Sequence, residues 1–594
     1  MEQFRITFLP SDRTLLVPKD TTILEAEIQA GLQPDAPCGG LGRCGKCLVH
    51  IQSGPITGVQ KACTTRITGD MVVDTRVASG HKILTSGASR EIPVYPHLTV
   101  VSFHLPEIRL GEKVSNWERL LKAIGCENQQ IIPDLDIISG LQTFYQESSD
   151  GYAVLSQGKI LGLSHEKPAC YLAAFDVGTT TIVGYLLNAE TGQELAASSL
   201  LNPQSQYGAD VILRSNYALE HSVEPLCQAV RQAICQILED LCQKTGIEKE
   251  TIWQLSLVGN TCMSHLFLGI SPESLVRAPY HPAVSQPLVL DASRLSLPIH
   301  PKGQVFVLPN IAGFVGADTV GCMVSAEYHE REEQTLLIDI GTNGEMVLGN
   351  RERRVCCSTA AGPAFEGAKI TCGMRGAQGA IDHVRFRDGK LEYSVIGGGT
   401  PTGICGSGLM DLMACLLEHG FVEESGRMIR PEKLTDPTAI ANKDRLEKVN
   451  GGWAFVLYRE EERPTVYFTQ KDIREVQLAK AAMSAGIQLL TEHMGLTISQ
   501  IDKVLIAGAF GSYMSPESAC RIGLIPQELF ERITAIGNAA GEGAKAVILN
   551  QQLWETASSL ASETEFLELA TSPNFQDCFV DELEFPEKET EKEG

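Results

Sequence analysis

Four cysteines near the start of the chain could hold metal. Cys38, Cys44 and Cys47 are spaced x5 and x2, and Cys63 follows after a short apolar run. Gly39, Gly40, Gly42 and Gly45 stand between them. Glycine lets a loop turn sharply while presenting backbone N–H groups to sulfur, and a 2Fe-2S cluster needs four thiolates. Two other uses compete. A structural zinc site pairs two short cysteine knuckles, and Cys44-x2-Cys47 is only one. Dithiol redox chemistry would leave Cys38 and Cys63 idle. The spacing favours the cluster. The chain has 18 cysteines in all. Cys227, Cys235 and Cys242 recur as one buried helix face would, and Cys356, Cys357, Cys372, Cys405 and Cys415 read as packing.

A second chemistry lies in two turns of one pattern. Asp176-Val177-Gly178-Thr179-Thr180 follows the apolar run Tyr171 to Phe175. Asp339-Ile340-Gly341-Thr342-Asn343 follows Leu336 to Ile338, 163 positions later. A further apolar strand comes after each, Ile182 to Leu187 and Met346 to Leu348. Glycine lets a backbone approach phosphate, N–H groups and threonine hydroxyls donate to it, and aspartate can hold Mg²⁺ through water. One such turn would say little, because Asp and Gly are ordinary hairpin residues. Two further motifs recur in the same order, however. Leu255 to Asn260 matches Val504 to Ala509, and Ile311 to Asp318 matches Ile536 to Glu542. A duplicated α/β unit that has lost its nucleotide is the competing reading. Gly397 to Thr400 and Gly403 to Gly408 precede a helix and suit either an anion or close packing. Asp318 is a weaker candidate.

These residues need elements to place them. At roughly 150 residues per domain, 594 residues predict several. Residues 1–83 read as a small domain, with strands at Phe4 to Leu9, Thr14 to Val17, Leu48 to Ile51 and Met71 to Val73. A helix from Thr22 is closed by Gly31. Residues 84–120 read as a linker and 121–168 as a small middle domain. The α/β pattern fills 169–577, in halves of about 169–330 and 331–577, and 578–594 form an acidic tail. The formal charge of −24 argues against nucleic acid and anionic membrane surfaces. No apolar run reaches the ~18 residues of a membrane span, and the start does not read as a secretory signal. A cytoplasmic protein is expected.

The cysteine segment resembles a 2Fe-2S ferredoxin of the β-grasp fold, with the spacing of the adrenodoxin-like branch. The paired Asp-x-Gly-Thr turns, with Ile506 to Gly511, resemble the actin, Hsp70 and sugar-kinase superfamily. That resemblance implies that Gly178, Thr179, Thr180 and Thr181 grip phosphate from one side. Gly341, Thr342, Asn343 and Gly344 would do so from the other. It also implies that Asp176 and Asp339 organise Mg²⁺ and that Gly508 and Gly511 lie near the adenosine. The expected fold is multidomain α+β and α/β, a β-grasp ferredoxin domain plus a duplicated actin-like ATPase fold.

Over its whole length the chain is similar to the reductive activators of corrinoid enzymes. Asn202-Pro203-Gln204, Tyr207 to Val211 and Gly403 to Asp411 add to that likeness. It implies a 2Fe-2S cluster, ATP and Mg²⁺ as cofactors, and ATP-dependent one-electron reduction of cob(II)amide to cob(I)amide. The partners would be the corrinoid protein of a methyltransferase or O-demethylase system and an electron donor of unknown identity, with a homodimer left open. Activators of 2-hydroxyacyl-CoA dehydratases are a rival, but they lack a ferredoxin domain. A small-molecule kinase would need a general base that no residue suggests, and a chaperone with a structural cluster is the non-enzymatic alternative.

Overall fold

The computed structural model describes residues 3–9, 11–32, 47–75, 92–461 and 463–587. Cys38 and Cys44 lie outside them. In the first domain β1 (Gln3–Leu9) forms a hairpin with β2 (Arg13–Pro18). A five-stranded sheet follows the order β2-β1-β5-β3-β4, with β3 at Leu48–Ser53, β4 at Gly58–Lys61 and β5 at Met71–Asp74. β1 and β5 are parallel, which requires a crossover, and the helix Ile23–Gln29 lies in it. That helix starts in a capping box, since Thr22 N–H donates to the Glu25 carboxylate at 2.7 Å and Glu25 N–H donates back to Thr22 Oγ1. Alternate β1 residues Ile6 and Phe8 share one core with Ile23 and Ala26 of the helix. This is the expected β-grasp frame, with edge strand β4 added among the described residues.

The expected linker is partly folded. β6 (Thr99–His104) pairs with β7 (Asp150–Ser156), which pairs with β8 (Lys159–Ser164). The helices Asn116–Ala123 and Leu135–Glu147 bury Leu120 and Leu141 against that sheet. The small domain therefore starts near residue 99 rather than 121. Its first strand finds its partner only some fifty residues later, so no local turn signal announces it. Upstream, Tyr95 N–H donates to the Leu549 carbonyl, and its own carbonyl accepts from Gln551 N–H.

The rest is a duplicated unit. The first half has β9 (Tyr171–Val177), β10 (Thr181–Asn188), β11 (Glu194–Leu201), β12 (Ile252–Gly259), β13 (Leu288–Asp291) and β14 (Gln304–Val307). Their order in the sheet is β11-β10-β9-β12-β14-β13. In the second half β15 (Thr335–Ile340), β16 (Gly344–Gly349) and β17 (Arg354–Thr359) precede two three-stranded inserts. The inserts hold β18 (Ala380–Arg387), β19 (Lys390–Val395) and β20 (Gly403–Ile404), then β21 (Leu446–Val449), β22 (Gly452–Glu460) and β23 (Arg463–Thr469). β24 (Lys503–Ala507), β25 (Ile533–Gly537) and β26 (Glu565–Phe566) complete the sheet β25-β24-β15-β16-β17-β26. The series β11-β10-β9-β12-β14 and β17-β16-β15-β24-β25 are the same, strand for strand and direction for direction.

The acidic tail begins later than expected. Phe585 is buried, and the carbonyls of Leu583, Glu584 and Pro586 accept from Gln477, Lys480 and Arg521. One aromatic residue in a charged stretch carries that anchor.

Between the two sheets the helices Ala317–Ser325 and Ala539–Leu549 pack together, and one core gathers residues from both halves. Their backbones touch. A Cβ on Gly543 would lie 2.0 Å from the Gly321 carbonyl oxygen, so neither helix can carry a side chain there without separating. Gly543→Ala should therefore destabilise the chain by about 1–3 kcal/mol in denaturant unfolding. The control is Gly140→Ala, at an exposed helix position with nothing within 4 Å of the new methyl, which should be neutral or stabilising. Equal effects would show that the crossing is not tight.

Candidate nucleotide cleft and cluster site

A cavity of about 590 Å³ opens between the halves. Gly178, Thr179, Thr180 and Thr181 line it from the β9–β10 turn, and Gly341, Thr342 and Asn343 from the β15–β16 turn. Gly178 N–H closes the first turn on the Thr181 carbonyl at 2.9 Å, and Gly341 N–H closes the second on Asn343. The first turn is longer by one residue, so Val183 faces Asp176 whereas Glu345 faces Asp339.

The first turn is held from behind. Arg214, wholly buried, donates from Nη2 to the Thr179 carbonyl at 2.6 Å and from Nε to Gly208. Asn202 Nδ2 donates to the Gly178 carbonyl, and Asn260 Nδ2 to Thr179 Oγ1 at 2.9 Å. Asp210 caps the helix Val211–Glu220 that carries Arg214. The motifs from Asn202 to Val211 thus form a buttress that fixes the backbone carbonyls of the loop.

Asp176, Asp318, Asp339 and Glu345 all line the cavity floor. Burial pushes Asp176 and Asp318 up to about 7, with the neighbouring Asp339 adding repulsion, while a bond to Asn538 holds Asp176 back. Asp339 rises to about 6 by burial, opposed by the Cys322 thiol, and burial raises Glu345 strongly. Desolvated carboxylates of this kind suit a divalent cation. Among the described residues no three His, Cys, Asp or Glu side chains converge as a direct ligand set. Such a floor would fit hydrated Mg²⁺ carried in by phosphates, which Asp176 and Asp339 would meet through water.

Not every expected residue faces the cavity. Gly508 does, and its φ of +85° together with a Cβ position 2.8 Å from Asp339 Oδ1 demands glycine. Gly511 packs against Ile506 instead, and Gly344 against Met483 and Thr359. Gly397, Cys405, Gly406 and Ser407 also line the wall, so part of each glycine cluster reaches the cleft. Glu366, Arg375, Asn260 and Asn538 were not foreseen. The first two belong to one half only, and Glu345 interrupts an apolar strand, which was the available signal. Cys356 and Cys357 are buried on opposite faces of β17, in two different cores.

In the ferredoxin domain Cys47 and Cys63 are both buried, and Cys63 N–H donates to Cys47 Sγ at 3.5 Å. An N–H aimed at sulfur favours the thiolate, as a cluster ligand requires.

Because folding raises Asp176 and Asp318 from 3.8 to about 7, the folded chain binds protons more tightly than the unfolded one. Their contribution to stability is full below the unfolded value and is lost as pH rises through about 7. Mg·ADP needs the ionised forms. Calorimetry at about pH 6.5 in two buffers of different ionisation enthalpy should therefore show net proton release on binding. Buffer-independent heats would contradict the coupling.

Residues 6–75 match the 2Fe-2S iron-sulfur cluster binding domain. Residues 171–331 match the RACo middle region, and 333–593 the C-terminal domain of RACo, the ASKHA domain. The chain is 33% identical over 591 residues to the corrinoid activation enzyme RamQ of Eubacterium limosum, covering 97% of this chain and 98% of that one. It is 23% identical over 450 residues to the Co(II) methylated amine-specific corrinoid protein reductase of Methanosarcina barkeri, covering 70% and 77%. Among solved structures, a reductive activator for corrinoid, iron-sulfur protein superposes with a TM-score of 0.74 at 31% identity over 98% of each chain. With its 2Fe-2S domain and its ASKHA ATPase domain, the chain belongs to the RACo-type family of corrinoid activation enzymes.

Proposed function

We propose that the chain uses ATP to drive one-electron reduction of a corrinoid protein, returning cob(II)amide to cob(I)amide in a methyltransferase or O-demethylase system. The observation that carries this reading is the joining, in one chain, of a ferredoxin-type domain to a two-sided phosphate cleft, in a protein similar end to end to RamQ. Cys38, Cys44, Cys47 and Cys63 are the proposed cluster ligands. When bound, the cluster supplies electrons singly. Asp176 and Asp339 hold the hydrated cation in place, and the threonine turns orient the phosphates.

An electron moved a few hundred millivolts uphill costs on the order of 5–10 kcal/mol. ATP offsets this only if it binds one conformation of the chain better than another, and a cleft closed from two halves provides two conformations. No helix of the described residues is long and apolar enough to cross a membrane, and we place the reaction in the cytoplasm.

The test is the loss of cob(II)amide absorbance in a corrinoid protein, with reductant and the full chain, with and without ATP. Reduction should be at least about tenfold faster with ATP. Asp339→Ala should abolish that gain with an unchanged cluster spectrum, and Cys63→Ser should alter the spectrum whereas Cys242→Ser should not. ATP-independent reduction at the full rate would refute the reading.

A further inference from the structure

One contact spans the cleft. Thr342 Oγ1 donates to Glu366 Oε1 at 2.6 Å, and Thr180 Oγ1 donates to Glu366 Oε2 at 3.2 Å. The two threonines belong to the two phosphate turns, one from each half of the duplicated unit. A single carboxylate therefore takes the hydroxyl donors that both turns would offer to phosphate. A hydroxyl has one proton to donate, so neither threonine can serve Glu366 and a phosphate oxygen together. Asp176, Asp318, Asp339 and Glu345 already crowd the same cavity, and a polyphosphate beside Glu366 would add like charge.

We propose that Glu366 is a phosphate-mimicking latch, which bridges the two turns until ATP displaces it. The inference rests on the cleft being the ATP site.

The surrounding segment is built to transmit that displacement. Gly362 and Gly367 flank Glu366 with φ of +74° each, so the short turn between them has its own backbone bends. A Cβ on Gly367 would lie 2.6 Å from Met374 N, so the bend cannot be built with another residue. Beyond it, Thr371 donates from N and Oγ1 to Asp472 Oδ1 at 2.7 and 2.9 Å. The other oxygen, Asp472 Oδ2, accepts from Thr469 N and Oγ1 at the start of the helix Gln470–Met494. Asp472 is fully buried and receives four donors, so the start of that helix must follow residue 371. Farther along the same helix, Met483 packs on Gly344, where the second phosphate turn re-enters its sheet. The latch segment, the helix and the second phosphate turn thus share one continuous set of contacts.

Competition between Glu366 and phosphate predicts that weakening the latch tightens ATP. In calorimetric titration of the full chain, Glu366→Gln should bind ATP about tenfold more tightly than the wild type. Glu366→Asp, too short to reach both turns, should fall between. Hydrogen exchange of the unsubstituted protein supplies a second reading. ATP should speed exchange at residues 362–371, because the carboxylate that ties this turn to both halves is released. Unchanged or weaker ATP binding in both variants would overturn the latch, and would identify Glu366 as part of the catalytic apparatus if turnover fell alone. Unchanged exchange at 362–371 would overturn it even if the variants do not fold. Failure of the wild type to bind ATP would instead overturn the assignment of the cleft.

Discussion

Two helices that meet through bare backbone set the geometry of the cleft. Where Gly543 meets the Gly321 carbonyl, the closest approach of the halves at that one crossing is set by main chain rather than by side chains that could adapt. Both helices begin at the cleft. The first turn of one carries Asp318, and Asn538 caps the other and bonds Asp176. The contact that joins the halves therefore also delivers two polar groups to the site between them. Alternate residues of β9 show the consequence for packing, with Leu172 and Ala174 in the shared core and Ala173 and Phe175 in the outer one.

That placement creates an electrostatic problem which a bound divalent cation would relieve. Burial of four carboxylates together raises the proton affinity of each, and repulsion between them grows as they ionise. Hydrated Mg²⁺ would offset that charge, and the phosphates it carries would accept from the N–H and hydroxyl donors of the two turns. Closing such a site couples nucleotide binding to the relative position of the halves. By linkage, any partner that prefers one position must alter the affinity for nucleotide by the same factor.

Much of this was legible because duplication forces the same backbone twice. The turns after β9 and β15, the strands β12 and β24 and the helices that cross each recur in sequence, since each copy has to make the same bend and bury the same face. The 2Fe-2S domain was legible in the cysteine spacing, because thiolates round one cluster would constrain their loop, while Cys38 and Cys44 themselves lie outside the described residues. What lies in one copy only was not. Glu366 sits between two glycines in a stretch without a counterpart, Arg214 acts from behind its loop, and β6 waits some fifty residues for its partner. Gly511 looked like a nucleotide contact because its motif is glycine-rich, yet it packs against Ile506. Phe585 was lost in a run of charge although it anchors the C-terminal segment.

On the proposed reading, nucleotide in the cleft governs an electron that starts in another domain. A single-turnover experiment addresses it most directly. The full chain is reduced, excess reductant is removed, and an equimolar corrinoid protein in the cob(II)amide state is added before ATP. Cluster oxidation and cob(I)amide formation, followed together by absorbance, should stay flat until ATP is added and then rise in equal amounts. Cobalt reduction before ATP, or without matching cluster oxidation, would contradict the account.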